Sequence, residues 1–156
     1  MSKGEFEWAE DPEALDALRA LLRTQLVAVL GTHNEGQPYT TLVGFAASRD
    51  LKSLFFATPR TTRKFANMER DNRVSMTLDN RNHAEADFYE AVGVTACGHA
   101  EEIEKAPEAS GMKRFLEKHP HLRGFVLSPN CALMRIRVHK YVVVRRFQEV
   151  IELVVP

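Results

Sequence analysis

Cysteine is nearly absent. Cys97 and Cys131 are the only two in 156 residues, and no Cys-x-x-Cys spacing exists. A disulfide framework and a cysteine-ligated zinc site are excluded as organising principles, and both residues read as buried or free thiols. Glycine and proline number only 8 and 7, too few for a collagen-like or low-complexity chain. The apolar runs, such as Leu26–Leu30, fall far short of a bilayer span. Net charge is missing as well: 21 basic residues face 21 acidic ones. A dedicated nucleic-acid binder needs a summed positive field, and this chain has none, although a local basic pocket remains open. The first residues, MSKGEFEWAEDPEA, carry acids where a secretion signal would carry a hydrophobic stretch. The expectation is a soluble cytoplasmic protein with neither membrane nor nucleic acid as partner.

What is present is ordinary globular material, 44% apolar and 27% charged. The length suits one domain over residues 1–156, large enough to bury roughly 68–70% of its unfolded surface. Asp11-Pro12-Glu13 reads as a helix start, with a side-chain cap, a proline in the first turn and an acid favourable to the dipole. Leu15, Leu18, Leu21 and Leu22 form its apolar stripe, and the helix is predicted to end near Thr24. Strands are predicted over residues 26–33, 39–47, 53–58, 73–78, 89–103, 133–138 and 141–147, the last two as a closing pair. Two more helices are predicted, one over residues 61–70 with Thr61 as cap and one between Pro107 and Pro120. A bulge is expected at Gly93 or Gly98. Strands that follow one another with short gaps pair antiparallel, so the fold class is mainly β, a closed or nearly closed barrel with peripheral helices. Runs such as LVAVL, VGVTA and YVVV are apolar on both faces, which calls for a helix or a second subunit to cover the outside.

The chemistry concentrates in SLFFATPRTTRKFANM. No acid occurs from Leu51 to Met68, while Lys52, Arg60, Arg63 and Lys64 give that stretch a charge of +4. Three of the four sit at the beginning of a predicted helix, where cations oppose the dipole. A bound anion would supply the missing charge, meeting free N–H groups, cationic side chains and the hydroxyls of Thr58, Thr61 and Thr62. A solvated turn whose cations pair with Glu69 or Asp71 is the plainer alternative, and a nucleic-acid contact is a third. Neither GxxxxGK nor GxGxxG is present, so this is no Walker loop and no dinucleotide fingerprint. His119-Pro120-His121 lacks the partners of a metal site and reads as surface after a helix end. His99 and Cys97 share a strand face with no orienting acid, which points to packing.

Several pieces in this order resemble the pyridoxamine 5′-phosphate oxidase-like family of FMN-binding split barrels. They are the turn Gly36-x-Pro38, the strand Tyr39-Thr40-Thr41-Leu42-Val43, and Leu54-Phe55-Phe56-Ala57-Thr58 leading to Thr62-Arg63-Lys64. Asn67, the strand start Asp71-Asn72-Arg73-Val74-Ser75 and Gly98-His99-Ala100-Glu101 complete the set. The resemblance implies a six-stranded antiparallel split barrel that forms a homodimer with flavin at the interface. It implies that Arg63 and Lys64 bind the FMN phosphate with help from Thr62. Thr41, Leu42 and Val43 would lie along the isoalloxazine through main-chain groups, and Ala57 and Thr58 would line the same pocket. A flavin oxidoreductase acting on a small-molecule substrate follows; the alternative is a non-enzymatic flavin- or haem-binding module, for which His99, His139, His119 and His121 are the ligand candidates. The family's vitamin B6 oxidases have a basic, aromatic C-terminal region. Here that region reads YVVVRRFQEVIELVVP, and the single tryptophan is Trp8, which argues against that particular substrate.

Overall fold

The computed structural model describes residues 11–156; Trp8 lies outside them. Helix α1 (Pro12–Thr24) begins as its sequence dictates, with the Asp11 carboxylate accepting the Ala14 N–H at 3.0 Å. Ala14, Leu18, Leu21 and Leu22 are its buried side, and Leu15 packs partly against the same core. Strand β1 (Val27–Asn34) turns back into β2 (Gln37–Ala47) through Glu35 and Gly36, whose φ values of 50° and 85° are those of a two-residue hairpin. Strand β3 (Ser53–Pro59) follows a turn in which the Asp50 carboxylate accepts from the Ser48 hydroxyl and the Lys52 N–H. Then come α2 (Arg63–Arg70), β4 (Arg73–Asp79), the short α3 (Asp87–Glu90) and β5 (Gly93–Ile103). Helix α4 (Ser110–Lys118), a 3₁₀ turn and α5 (Arg123–Leu127) lead to β6 (Cys131–Arg145) and β7 (Glu149–Val154).

All strand pairs are antiparallel. The order β3-β2-β1-β4-β5-β6 is closed by a β3–β6 pairing, so the fold is a six-stranded barrel, with β7 added to β6. Alternation sorts the side chains: Leu30, Phe45, Phe56, Met76, Ala96, Ile136 and Val143 fill the interior with no exposed surface. Each of the larger side chains in this set contributes about 1.5–3 kcal/mol by leaving water. A smaller core of Met112, Phe115, Val126 and Cys131 lies under α4 and α5. On the outside, the register lines up Leu42, Val29, Thr77, Thr95 and Val142 across five strands. Leu42 is 68% exposed at the end of this row.

Four expectations are corrected. The closing pair is one 15-residue strand, β6, whose partner is β7. The register shifts at Cys97/Gly98, leaving His139 as the extra residue, so the alternation restarts there and mimics a break between two strands. Gly98 is needed at that shift: a Cβ would meet the Arg137 carbonyl oxygen at 2.1 Å. The fifth strand starts at Gly93 and not at Tyr89, because the Asp87 carboxylate draws in the N–H groups of Asn82 and Ala84 and winds residues 87–90 into a helical turn. The cap of α2 is Thr62, one residue beyond Thr61. Finally, His119 is not a surface residue. It is 2% exposed, and its Nε2–H donates to the Phe45 carbonyl at 2.7 Å.

Burial depresses the His119 pKa; the bond to Phe45 opposes that shift, and the neighbouring Lys118 charge reinforces it. The unfolded chain therefore takes up a proton at His119 more readily than the folded one. Its contribution to stability is complete above the ordinary histidine value of about 6.5 and is lost as pH falls below it. The expected outcome is that wild-type protein loses urea resistance from pH 7 to pH 5 more steeply than His119→Gln. Parallel profiles for the two proteins would disprove it.

Candidate functional site

Strand β3 is the element that creates a site. It pairs with β6 along its whole length, Ser53 to Pro59, but with β2 only at Phe45–Ala47, and past Phe56 it diverges from β2. The rest of β2, residues 37–44, keeps β1 as its single strand partner, so its other edge is open. Thr41, Leu42 and Val43 lie on this stretch, where alternate main-chain groups are free of the ladder.

At its far end β3 runs into the start of α2. Thr62 caps that helix: its hydroxyl accepts the Phe65 N–H at 3.3 Å, donates to the Pro59 carbonyl at 2.9 Å and lies 2.8 Å from the Thr58 hydroxyl. Thr58 is fully buried and braces Thr62 from behind. Ala57 packs in the small core with Phe115 and Leu133. Thr62 and Arg63 line a cleft of about 510 Å³ whose other walls include Tyr39, Asn67 and Arg70. Thr41, Leu42, Val43, Ala57, Thr58 and Lys64 do not line it directly.

The charges divide unequally. Arg60 is neutralised by a bidentate pair with Glu102, with its guanidinium 5.8 Å from the Phe65 ring centroid. Asp71 is taken by Arg73 at 2.6 Å and by His33 at 3.1 Å, and the hydrogen bonds from Arg73 hold its carboxyl well below the usual range. Arg63 and Lys64 make no ion pair among the described residues. Arg63 is exposed, 5.6 Å from the Tyr39 ring centroid, and partial burial lowers the Lys64 pKa. The plain alternative, in which these cations pair with Glu69 or Asp71, is not what the structure shows. Two uncompensated cations beside the N-terminal turn of an eight-residue helix form an arrangement that an anion completes.

Arg70 and Tyr39 were not among the predicted site residues. A helical signal for Arg70 existed: Arg63, Ala66, Asn67 and Arg70 are spaced i, i+3, i+4, i+7, and all four face the cleft. Tyr39 has no such signal, because only the closing of α2 over the β1–β2 hairpin brings it there. Asn67 is buried and donates to the Thr32 hydroxyl at 3.0 Å, fastening α2 to β1. Among the described residues no group of three or more metal-ligating side chains converges, and no described helix is long and apolar enough to cross a membrane.

A family profile described as pyridoxamine 5′-phosphate oxidase matches residues 14–145, most of the chain. No curated protein sequence matches the chain. Among solved structures, a heme-binding protein from Mycobacterium smegmatis superimposes with a TM-score of 0.80 at 17% identity, covering 92% of this chain and 59% of that one. A FAD-binding protein from Mesorhizobium loti gives 0.67 at 19% identity, over 84% of this chain and 91% of its own. The heme storage protein HutZ from Vibrio cholerae gives 0.64 at 15% identity, over 79% and 88%. At such identities the likeness shows the fold alone.

Removing the α2 cap should cost about 1 kcal/mol. Thr62→Ala is expected to lower the unfolding free energy measured by urea titration by that amount, and Thr62→Ser to restore it. An alanine variant as stable as wild type would show that the cap contributes nothing.

Proposed function

The chain belongs to the pyridoxamine 5′-phosphate oxidase family, and from that membership we propose that it is an FMN-dependent oxidoreductase that passes hydride or electrons from a reduced donor to a small-molecule acceptor. The observation that carries the reading is the pair of unneutralised cations, Arg63 and Lys64, at the start of α2 beside a cleft of about 510 Å³. When bound, the flavin supplies the redox chemistry itself. The chain's own groups bind and orient it. Arg63 and Lys64 hold the phosphate by charge, and Thr62 keeps the helix start in shape for it. The open edge of β2 at Thr41, Leu42 and Val43 offers main-chain groups to a flat polar ring, while Ala57 and Thr58 form the packed wall behind. A ring held by backbone needs few special side chains, which accords with the absence of a catalytic cluster in the sequence.

A homodimer belongs to the same reading. The outer row from Leu42 to Val142 is apolar or threonine-lined, and a second copy laid over it would cover Leu42 next to the proposed ring site. The cytoplasm remains the proposed compartment. A second reading, a haem-binding module without turnover, has one observation in its favour: His99 and His139 come into direct contact on the outer face of β5 and β6, their ring centroids 4.5 Å apart. Haem would show a Soret band where flavin shows its two visible bands.

Purified protein is expected to be yellow, or to become so with added FMN, at about one flavin per subunit. Lys64→Ala should weaken FMN binding by about 1.5–3 kcal/mol, the range for a charged hydrogen bond. Protein that takes up no FMN, or a variant with wild-type affinity, would overturn the assignment.

A further inference from the structure

A second cleft, of about 560 Å³, opens between α1, the β2–β3 turn and α4, and it shares no lining residue with the cleft at Arg63. Five cations line it: Arg19 and Arg23 from α1, Arg49 from the turn, and Arg114 and Lys118 from α4. Only two carboxylates, Asp16 and Glu117, stand against them. In a chain whose charges balance overall, this local excess is not a by-product of composition. Among the described residues Arg114 alone of the five has an ion pair, with Glu117 at 3.5 Å.

Surface cations are usually solvated and mobile. Two of these are not. Arg114 is fixed by an Nε–H bond of 2.8 Å to the Ala47 carbonyl. Lys118 donates at 2.8 Å to the Leu22 carbonyl and sits 3.8 Å from the Phe45 ring centroid, with no carboxylate beside it. Burial, aided by the neighbouring Arg114 charge, brings its pKa down to about 8. Holding an ammonium half out of water without a counter-ion is costly, and an arriving anion would relieve that cost. The floor between the cations is apolar, formed by the buried Leu22, Ala46, Ala47 and Leu51. Fixed cations around an apolar floor suit a molecule with an anionic end and a flat organic body, and the volume falls in the range of small-molecule sites.

We propose that this cleft binds a phosphorylated organic molecule of nucleotide size, its phosphates held by Arg19, Arg49, Arg114 and Lys118 and its organic part resting on the Ala46–Ala47 floor. The proposal stands apart from the flavin reading and survives its failure, because no residue is common to the two sites.

Calorimetric titration of the full chain with ADP and, separately, with inorganic pyrophosphate tests it. ADP is expected to bind with a Kd below about 1 mM. It should bind at least tenfold more weakly to Lys118→Met and to the double variant Arg19→Gln/Arg49→Gln, whose exposed side chains leave the core untouched. Arg63→Gln should bind ADP like wild type. The proposal is overturned by absent ADP binding, by unchanged affinity in the double variant, or by binding that disappears with Arg63→Gln. Pyrophosphate binding as tightly as ADP would overturn the organic part, since the apolar floor would then contribute nothing.

Discussion

The molecule depends on one sharing of strand edges. Strand β6 spends one edge on β5 and divides the other, giving residues 131–137 to β3 and 140–145 to β7. The β3–β6 pairing closes the barrel: Leu54, Phe55 and Phe56 pair with β2 through one edge of β3 and with β6 through the other, and beyond Phe56 only the β6 edge is used. Past those three pairs β2 and β3 are no longer bonded to each other, and a seam opens between them. The open edge of β2, the packed end of β3 and the start of α2 all lie along that opening.

Electrostatics then decides which of the clustered cations matter. In sequence Arg60, Arg63 and Lys64 look alike. In space Arg60 reaches Glu102 on β5 and forms a fork-to-fork pair, while Asp71 is held by Arg73 and Glu69, the acid nearest the other two along the chain, forms no ion pair with them. The remaining pair stays uncompensated, Arg63 in the cleft wall and Lys64 next to it in the helix. The same logic isolates the second cleft, where cations from α1, the β2–β3 turn and α4 converge with too few acids among them.

Much of the fold could be read from residues. Asp11-Pro12 announced α1, and the leucine stripe announced its buried side. Short apolar runs bounded by turn residues announced β1 to β4, and the turn chemistry around Gly36 announced their first hairpin. Where reading failed, a non-local contact had overridden a local pattern. His139 broke the alternation of β6 without breaking the strand, because β5 absorbed the extra residue at Gly98. His119 looked exposed beside Pro120, yet the Phe45 carbonyl, 74 residues away in sequence, accepts a hydrogen bond from its Nε2–H and the ring is buried. Among the candidate site residues, Thr62 and Arg63 line the first cleft, and Lys64 is the next residue of the same helix. Thr58 and Ala57 stand behind as packing, and Arg70 and Tyr39 join from elements whose approach no short motif encodes.

Sequence by itself determined the first helix, the positions of the first four strands, the antiparallel barrel, and the presence of an acid-free, cation-rich segment between Leu51 and Met68, because these follow from periodicity, turn residues and charge order along the chain. Only the tertiary structure decided which cations lose their charge to a carboxylate and which keep it, since ion pairing depends on distances between residues far apart in sequence. It likewise decided that five cations from three separate elements share one cleft, a convergence created solely by packing α1 and α4 beside the β2–β3 turn.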